Sequence, residues 1–211
     1  MLPIGDDDSA RRIFPVVTYV LILVNVLFFL AELALGDTFI LQWSFIPQRF
    51  LDNPSGDLQT IFTSMFMHAG WLHIAGNMLY LWIFGDNVED NFGHVKFLVF
   101  YLICGVAATF SQMAFSMHSD IPNLGASGAI AGVLGAYILM FPRAQVKVLM
   151  GRSVVPLPAL VVLGFWIVLQ FFSGVGSILN PVDEGGVAYM AHIGGFVAGI
   201  ILALFLRRRN G

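Results

Sequence analysis

Charge is scarce in this 211-residue chain: Asp, Glu, Lys and Arg make up only 11% of it. A soluble domain carries about 25%, so an ordinary water-soluble enzyme is excluded. Hydrophobic residues reach 58%, which excludes a disordered chain as well. Basic residues do not outnumber acidic ones, and the formal net charge is −3. No basic domain exists to hold nucleic acid, so nucleic acid is not an expected partner. Cysteine is almost absent. The single Cys104 lies in an apolar run, can form no internal disulfide and matches no metal-ligand spacing. The alternation of a membrane β-barrel is missing too. There is no internal repeat, low-complexity tract or soluble domain.

What the chain has instead is long apolar runs. They cover Ile13–Leu35, Trp71–Gly85, Val95–Phe115, Leu124–Phe141, Leu157–Leu179 and Val187–Leu206. A membrane helix needs about 20 apolar residues, so the reading is an all-α membrane protein, a six-transmembrane-helix bundle. The second and fourth runs are short. Asp6, Asp7 and Asp8 precede the first run, which suits a retained span better than a cleaved signal peptide. Six spans put both termini on one side. That side holds Arg11, Arg12, Lys96, Arg143, Lys147, Arg152, Arg207, Arg208 and Arg209, against Arg49 alone on the other. The positive-inside rule then makes both termini cytoplasmic. The expected organisation is a short tail over 1–12, a membrane domain over 13–206 and a basic C-terminus over 207–211. The expected location is the cell membrane of a prokaryote. One connection is long, from Gly36 to about His68, and carries Trp43, Phe45, Ile46, Phe50 and Leu58. It is expected to lie partly in the outer interface, where Trp is favoured.

Strongly polar groups inside spans are costly and mark functional sites. Here they are His73 and Asn77 in span two, Ser127 at the head of span four and His192 near the head of span six, with His68 just before span two. Helix rise places Ser127 and His192 each about 21 Å from the cytoplasmic helix ends, and His73 about 20 Å. Asn77 starts one turn deeper, but helical side chains lean toward the N-terminus. In span six, Ala188, His192, Gly195, Gly199 and Ala203 share one stripe, and span four offers Gly128, Gly132 and Gly135 beside Ser127. Small residues let helices approach closely, which would bring Ser127 against His192.

Ser beside His is a nucleophile with its general base. His73, Asn77 and the Ser127 backbone N–H can donate hydrogen bonds to a developing oxyanion. Asp183 and Glu184 fall in the outer loop and Glu32 in span one, so a dyad is expected, not a triad. A metal site built from His68, His73 and His192 is the rival chemistry. No HExxH motif supports it, and no cofactor or metal is expected. The alternative function is a non-catalytic polytopic membrane protein, either a client-binding inactive relative or a transporter. The loop Asn180–Gly186 is a candidate lid. Phe165, Trp166, Phe171 and Phe172 in span five, with Tyr80, Trp82 and Phe84 in span two, either plug a lateral opening or face lipid.

These residues carry a resemblance. Gly125-Ala126-Ser127-Gly128 resembles the GxSG motif of rhomboid intramembrane serine proteases. His68, His73 and Asn77 are spaced as in that family's HxxxxHxxxN motif, and Ala191-His192 followed by Gly195 and Gly199 is similar to its last-helix pattern. The resemblance implies a six-helix bundle with a water-filled cavity, acting on transmembrane protein substrates within the lipid bilayer. It implies Ser127 as nucleophile, His192 as general base, and His73 and Asn77 in the oxyanion hole, with His68 structural. The chain departs from some members in two places. Gln59-Thr60 stands where they carry Trp-Arg, and Ala131 stands where an aromatic packs on the histidine.

The serine and metal readings separate in one assay. EDTA or phenanthroline leaves cleavage of a transmembrane substrate intact if serine does the chemistry. Loss on chelation, restored by zinc, assigns it to the three histidines.

Overall fold

The computed structural model describes residues 2–7, 9, 11–179 and 187–208. Ten α-helices and three strands occur among them. The strands are β1 (Leu2–Gly5), β2 (Gln145–Met150) and β3 (Ser153–Pro158). The long helices are α1 (Val16–Leu35), α6 (Trp71–Phe92), α7 (His94–Met113), α8 (Ser127–Met140), α9 (Ala159–Leu179) and α10 (Tyr189–Leu206). Between α1 and α6 lie α2 (Asp37–Trp43), α3 (Pro47–Asp52), α4 (Pro54–Asp57), α5 (Thr60–Thr63) and a 3-10 turn over Ser64–Phe66. Helices α1, α7, α9 and α10 are long and apolar enough to cross a membrane. Their outward residues, such as Leu27, Leu30, Phe172 and Phe205, are exposed apolar side chains, as a lipid-facing surface requires.

Helix α8 is the centre. Every residue from Gly128 to Tyr137 is buried, and α6, α7, α9 and α10 all pack on it. A helix enclosed on all sides has no polar face, so its sequence shows no amphipathic stripe. Its fit against α10 depends on missing side chains. A Cβ on Gly195 would stand 2.0 Å from the Gly128 carbonyl oxygen, and one on Gly199 would stand 2.0 Å from the Gly132 oxygen. The expected glycine contact between these helices is therefore what the structure has.

The run at Trp71–Gly85 is longer than expected. Helix α6 continues to Phe92 and includes Asp86, Glu89 and Asp90. The charges looked like the end of a span because their partners are remote in sequence. Glu89 is fully buried and accepts from the N–H groups of Val17 and Thr18 and from the Thr18 hydroxyl, at 2.9, 2.7 and 2.7 Å. These N–H groups belong to the first turn of α1, whose Pro15 N-cap offers no side-chain acceptor. The carboxylate thus replaces a local cap and complements the helix dipole. Asp90 accepts from Arg12 and Ile13 N–H at 2.7 Å, and Asp86 pairs with Arg11 at 2.7 Å.

The strands were not expected from the sequence. They form one antiparallel sheet in the order β1-β2-β3. A signal was present: Val146 and Val148 alternate with exposed Lys147 and are fully buried, the period of a half-buried strand. Residues Leu2–Gly5 are thereby tied down. Asp6 follows β1 and accepts from the Tyr137 hydroxyl at 2.6 Å and from Asn87 Nδ2 at 2.8 Å.

The first loop is folded. Phe45 is fully buried and packs with Phe50 and Phe110. Arg49, close to α4, pairs with Asp57 at 3.0 Å and donates to the carbonyls of Leu41 and Ser44. These contacts fix the loop without a Trp-Arg pair.

Gly199→Ala should lower stability by about 1–3 kcal/mol, because backbone cannot yield to the added methyl. Gly164→Ala, where a Cβ meets nothing within 4 Å, should not. Thermal unfolding of both variants in detergent checks this.

Candidate active site

Ser127 is the first residue of α8, and His192 lies in the first turn of α10. The glycine contacts hold these two helix ends together. His192 Nε2 lies 2.8 Å from Ser127 Oγ, which is hydrogen-bond distance. The expected pairing of the two side chains is present in the structure. The segment before Ser127 is fixed by the first loop. Phe45 and Asn123 exchange backbone hydrogen bonds at 3.2 and 2.7 Å, and Gly125 N–H donates to the Ser64 carbonyl at 2.8 Å.

Both side chains line a cavity of about 1190 Å³, together with His73, Asn77, Tyr80 and Trp166. Hence the four residues singled out in the sequence share one space. The volume accommodates a peptide segment and many waters, each with a liquid share of about 30 Å³. Asn77 is buried, and its Nδ2 has no hydrogen-bond partner among the described residues. An unpaired buried donor is costly unless a ligand or water meets it. His73 Nδ1 accepts from the Ala69 N–H at 3.3 Å. A neutral imidazole with Nδ1 accepting carries its proton on Nε2, so His73 Nε2 is a donor. That atom lies beside Gly125. A Cβ there would stand 3.0 Å from His73 Nε2 and 3.6 Å from Ser127 Oγ. First-turn N–H groups of α8, that of Ser127 included, have no intrahelical acceptor.

His68 is outside this set. It is buried in the turn before α6, and its ring packs edge-on against His73 at 5.1 Å. Burial pushes its imidazole down to about 3, so the ring is neutral at physiological pH. Its backbone N–H donates to both oxygens of Glu32, at 3.0 and 3.2 Å. Glu32 thus anchors the turn to α1 and does not orient His192. Among the described residues no three His, Cys, Asp or Glu side chains form a group that could hold a metal ion.

One site residue, Gln170, was missed in the sequence, and another, Trp166, was read only as a gate or lipid-facing aromatic. Gln170 Oε1 lies 2.7 Å from His192 Nδ1, and the Trp166 ring lies 5.8 Å from the imidazole. Both are on α9. The signal for Gln170 was a lone amide in an apolar span, the same signal that drew attention to Asn77. Trp166 supplies a ring beside His192, which Ala131 cannot. Phe165, Phe171, Phe172 and Trp82 are exposed and suit the lipid-facing reading. The lid reading of Asn180–Gly186, with Asp183 and Glu184, lies outside the described residues.

Comparison with known proteins bears on this arrangement. A family model described as Rhomboid domain matches residues 55–209. The chain is similar to Rhomboid protease GluP of Bacillus subtilis, 30% identical over 153 residues, covering 72% of this chain and 26% of that protein. It is similar to RHOMBOID-like protein 12, mitochondrial, of Arabidopsis thaliana, 34% identical over 180 residues, covering 76% and 50%. Putative rhomboid protease YdcA of Bacillus subtilis is 26% identical over 194 residues, covering 91% and 88%. The chain therefore spans from about a quarter to a half of the first two relatives and most of the third.

Gly125 adopts φ +130°, where a side chain adds strain of about 1–3 kcal/mol. Gly125→Ala should lower the melting temperature by at least about 2 °C. It should also displace His73, seen as loss of the protected Ala69 amide in hydrogen exchange.

Proposed function

Because the chain belongs to the rhomboid family, we propose that this multi-pass membrane protein is an intramembrane serine endopeptidase with a Ser127–His192 dyad. Its substrates are membrane proteins, cut in or near their transmembrane segments within the lipid bilayer. The proposed membrane domain covers 13–206 and has six spans: α1, α6, α7, α8, α9 and α10. Both termini are cytoplasmic in this reading, in accord with the bias of basic residues, and the membrane is that of a prokaryotic cell. The observation that carries the proposal is the 2.8 Å contact between His192 Nε2 and Ser127 Oγ on the wall of a cavity.

The chemistry follows from that contact. Ser127 Oγ attacks the scissile carbonyl carbon while His192 Nε2 takes its proton. The carbonyl oxygen becomes an oxyanion. His73 Nε2–H, Asn77 Nδ2–H and the Ser127 N–H donate to it. Fixed donors act strongly there because no solvent reorganisation is needed. Collapse breaks the C–N bond, and His192 returns the proton to the leaving amine. An ester on Ser127 remains. Water then gives its proton to His192 and its oxygen to the acyl carbon. The second collapse releases the acid and restores the Ser127 hydroxyl. No metal or other cofactor enters these steps.

Ser127→Ala and His192→Ala should each abolish cleavage while the protein stays folded, since neither strands a charge. Asn77→Ala should lower kcat by about 10²–10³-fold with little change in KM. A merely structural Asn77 would lower the melting temperature and leave kcat per folded molecule unchanged. Turnover of a model transmembrane substrate in proteoliposomes decides the matter. Wild-type rates in Ser127→Ala would refute the nucleophile, and a kcat within twofold for Asn77→Ala would remove that donor.

A further inference from the structure

We propose that Gln170 is a positioning residue that selects the proton-accepting tautomer of His192. The inference rests on the proposed dyad and extends it to α9. A neutral imidazole carries one N–H. To take a proton from Ser127, His192 must present a lone pair at Nε2, so its own proton must sit on Nδ1. That N–H is then removed from water and needs an acceptor. Gln170 Oε1, at 2.7 Å, is that acceptor.

Among the described residues, the groups facing the ring are Ser127 from α8, Gln170 and Trp166 from α9, and His73 from α6, and none of these is a carboxylate. An amide suits this place because a neutral acceptor avoids a second buried charge. It also differs from a carboxylate in a way that matters for chemistry. A carboxylate only accepts, whereas an amide accepts through oxygen and donates through nitrogen. With the amide reversed, Nδ1 would receive a hydrogen bond and the ring proton would move to Nε2. That ring would donate to Ser127 and could not act as its base. With Oε1 toward Nδ1, as the structure has it, Gln170 holds the dyad in the proton-accepting state. When Ser127 loses its proton, the imidazolium has N–H groups at both nitrogens, and Gln170 continues to accept from Nδ1.

The placement on α9 adds a consequence. Gln170 and Trp166 are one helical turn apart and share a face. That face supplies both the acceptor for Nδ1–H and the ring packed at 5.8 Å. Helix α9 buries few of its residues, namely Ala159, Val162, Leu163 and Gly174. Both restraints on His192 come from this one helix.

The test uses the full chain in detergent with Gln170→Met, which keeps length and volume but accepts poorly, and Gln170→Glu, which keeps an oxygen acceptor. Rates are expressed per active site titrated with a fluorophosphonate, so loss of folded protein does not register. Gln170→Met should lower kcat about tenfold at unchanged KM. Imidazole ¹⁵N spectra, with His192 identified by its absence in His192→Ala, should show the Nδ1–H form in the wild type. They should show a growing Nε2–H form in Gln170→Met and a return to Nδ1–H in Gln170→Glu. A role confined to tying α9 to α10 would lower the melting temperature and leave the tautomer alone. A Gln170→Met kcat within twofold of wild type, or an unchanged tautomer, overturns the proposal. With Ser127→Ala inactive, that result leaves the dyad standing. An active Ser127→Ala would instead remove the dyad itself.

Discussion

Backbone-to-backbone contact between α8 and α10 is the constraint on which the rest of the structure depends. Gly195 and Gly199 rest on the carbonyls of Gly128 and Gly132 with no room for a methyl group. Within a membrane, helices gain little by hiding apolar surface from one another, because lipid is equally apolar. Packing and hydrogen bonds do that work instead. Close approach is therefore bought with glycine. The same contact places the N-terminal ends of α8 and α10 side by side, so a serine and a histidine there meet at hydrogen-bond distance. Chemistry and packing share one interface, and the position of one residue on each helix sets the geometry.

The two ends of the bundle are built differently. At the end holding the cavity, loops do the positioning. The first loop bonds the strand-like segment before Ser127 and carries the 3-10 turn that accepts from Gly125. At the other end, buried acids at the base of α6 collect N–H groups of the incoming chain. Glu89 caps α1, and Asp90 and Asp86 hold residues 11–13. A sheet that includes the first strand closes over this region. Helix α9 buries the fewest residues of any long helix packed on α8.

Much of this was legible in the residues. Periods of small residues in α8 and α10 predicted their contact, because a stripe at helical spacing is a local property. Matched depths of Ser127 and His192 followed from helix rise, but that of His73 was counted to Asp86, and α6 runs on to Phe92. The rest depended on partners far away in sequence. Asp86, Glu89 and Asp90 read as the end of a span, since nothing nearby showed that residues 11–18 would cover them. Strand β1 was hidden because Leu2–Gly5 is short and pairs with Gln145–Met150 at the far side of the chain, whereas the alternation that marks β2 was present and overlooked. Gln170 was passed over for a similar reason. Its partner, His192, stands on another helix, and a single amide in an apolar run carries no sign of what it faces.

The central claim is that Ser127 is a nucleophile activated by His192. It is tested most directly by treating the folded protein with a fluorophosphonate and locating the adduct by peptide mass spectrometry. The account predicts an adduct on Ser127 alone, formed in the wild type and in Asn77→Ala but not in His192→Ala. An adduct on another serine, or none from a preparation that still cleaves a transmembrane substrate, would contradict it.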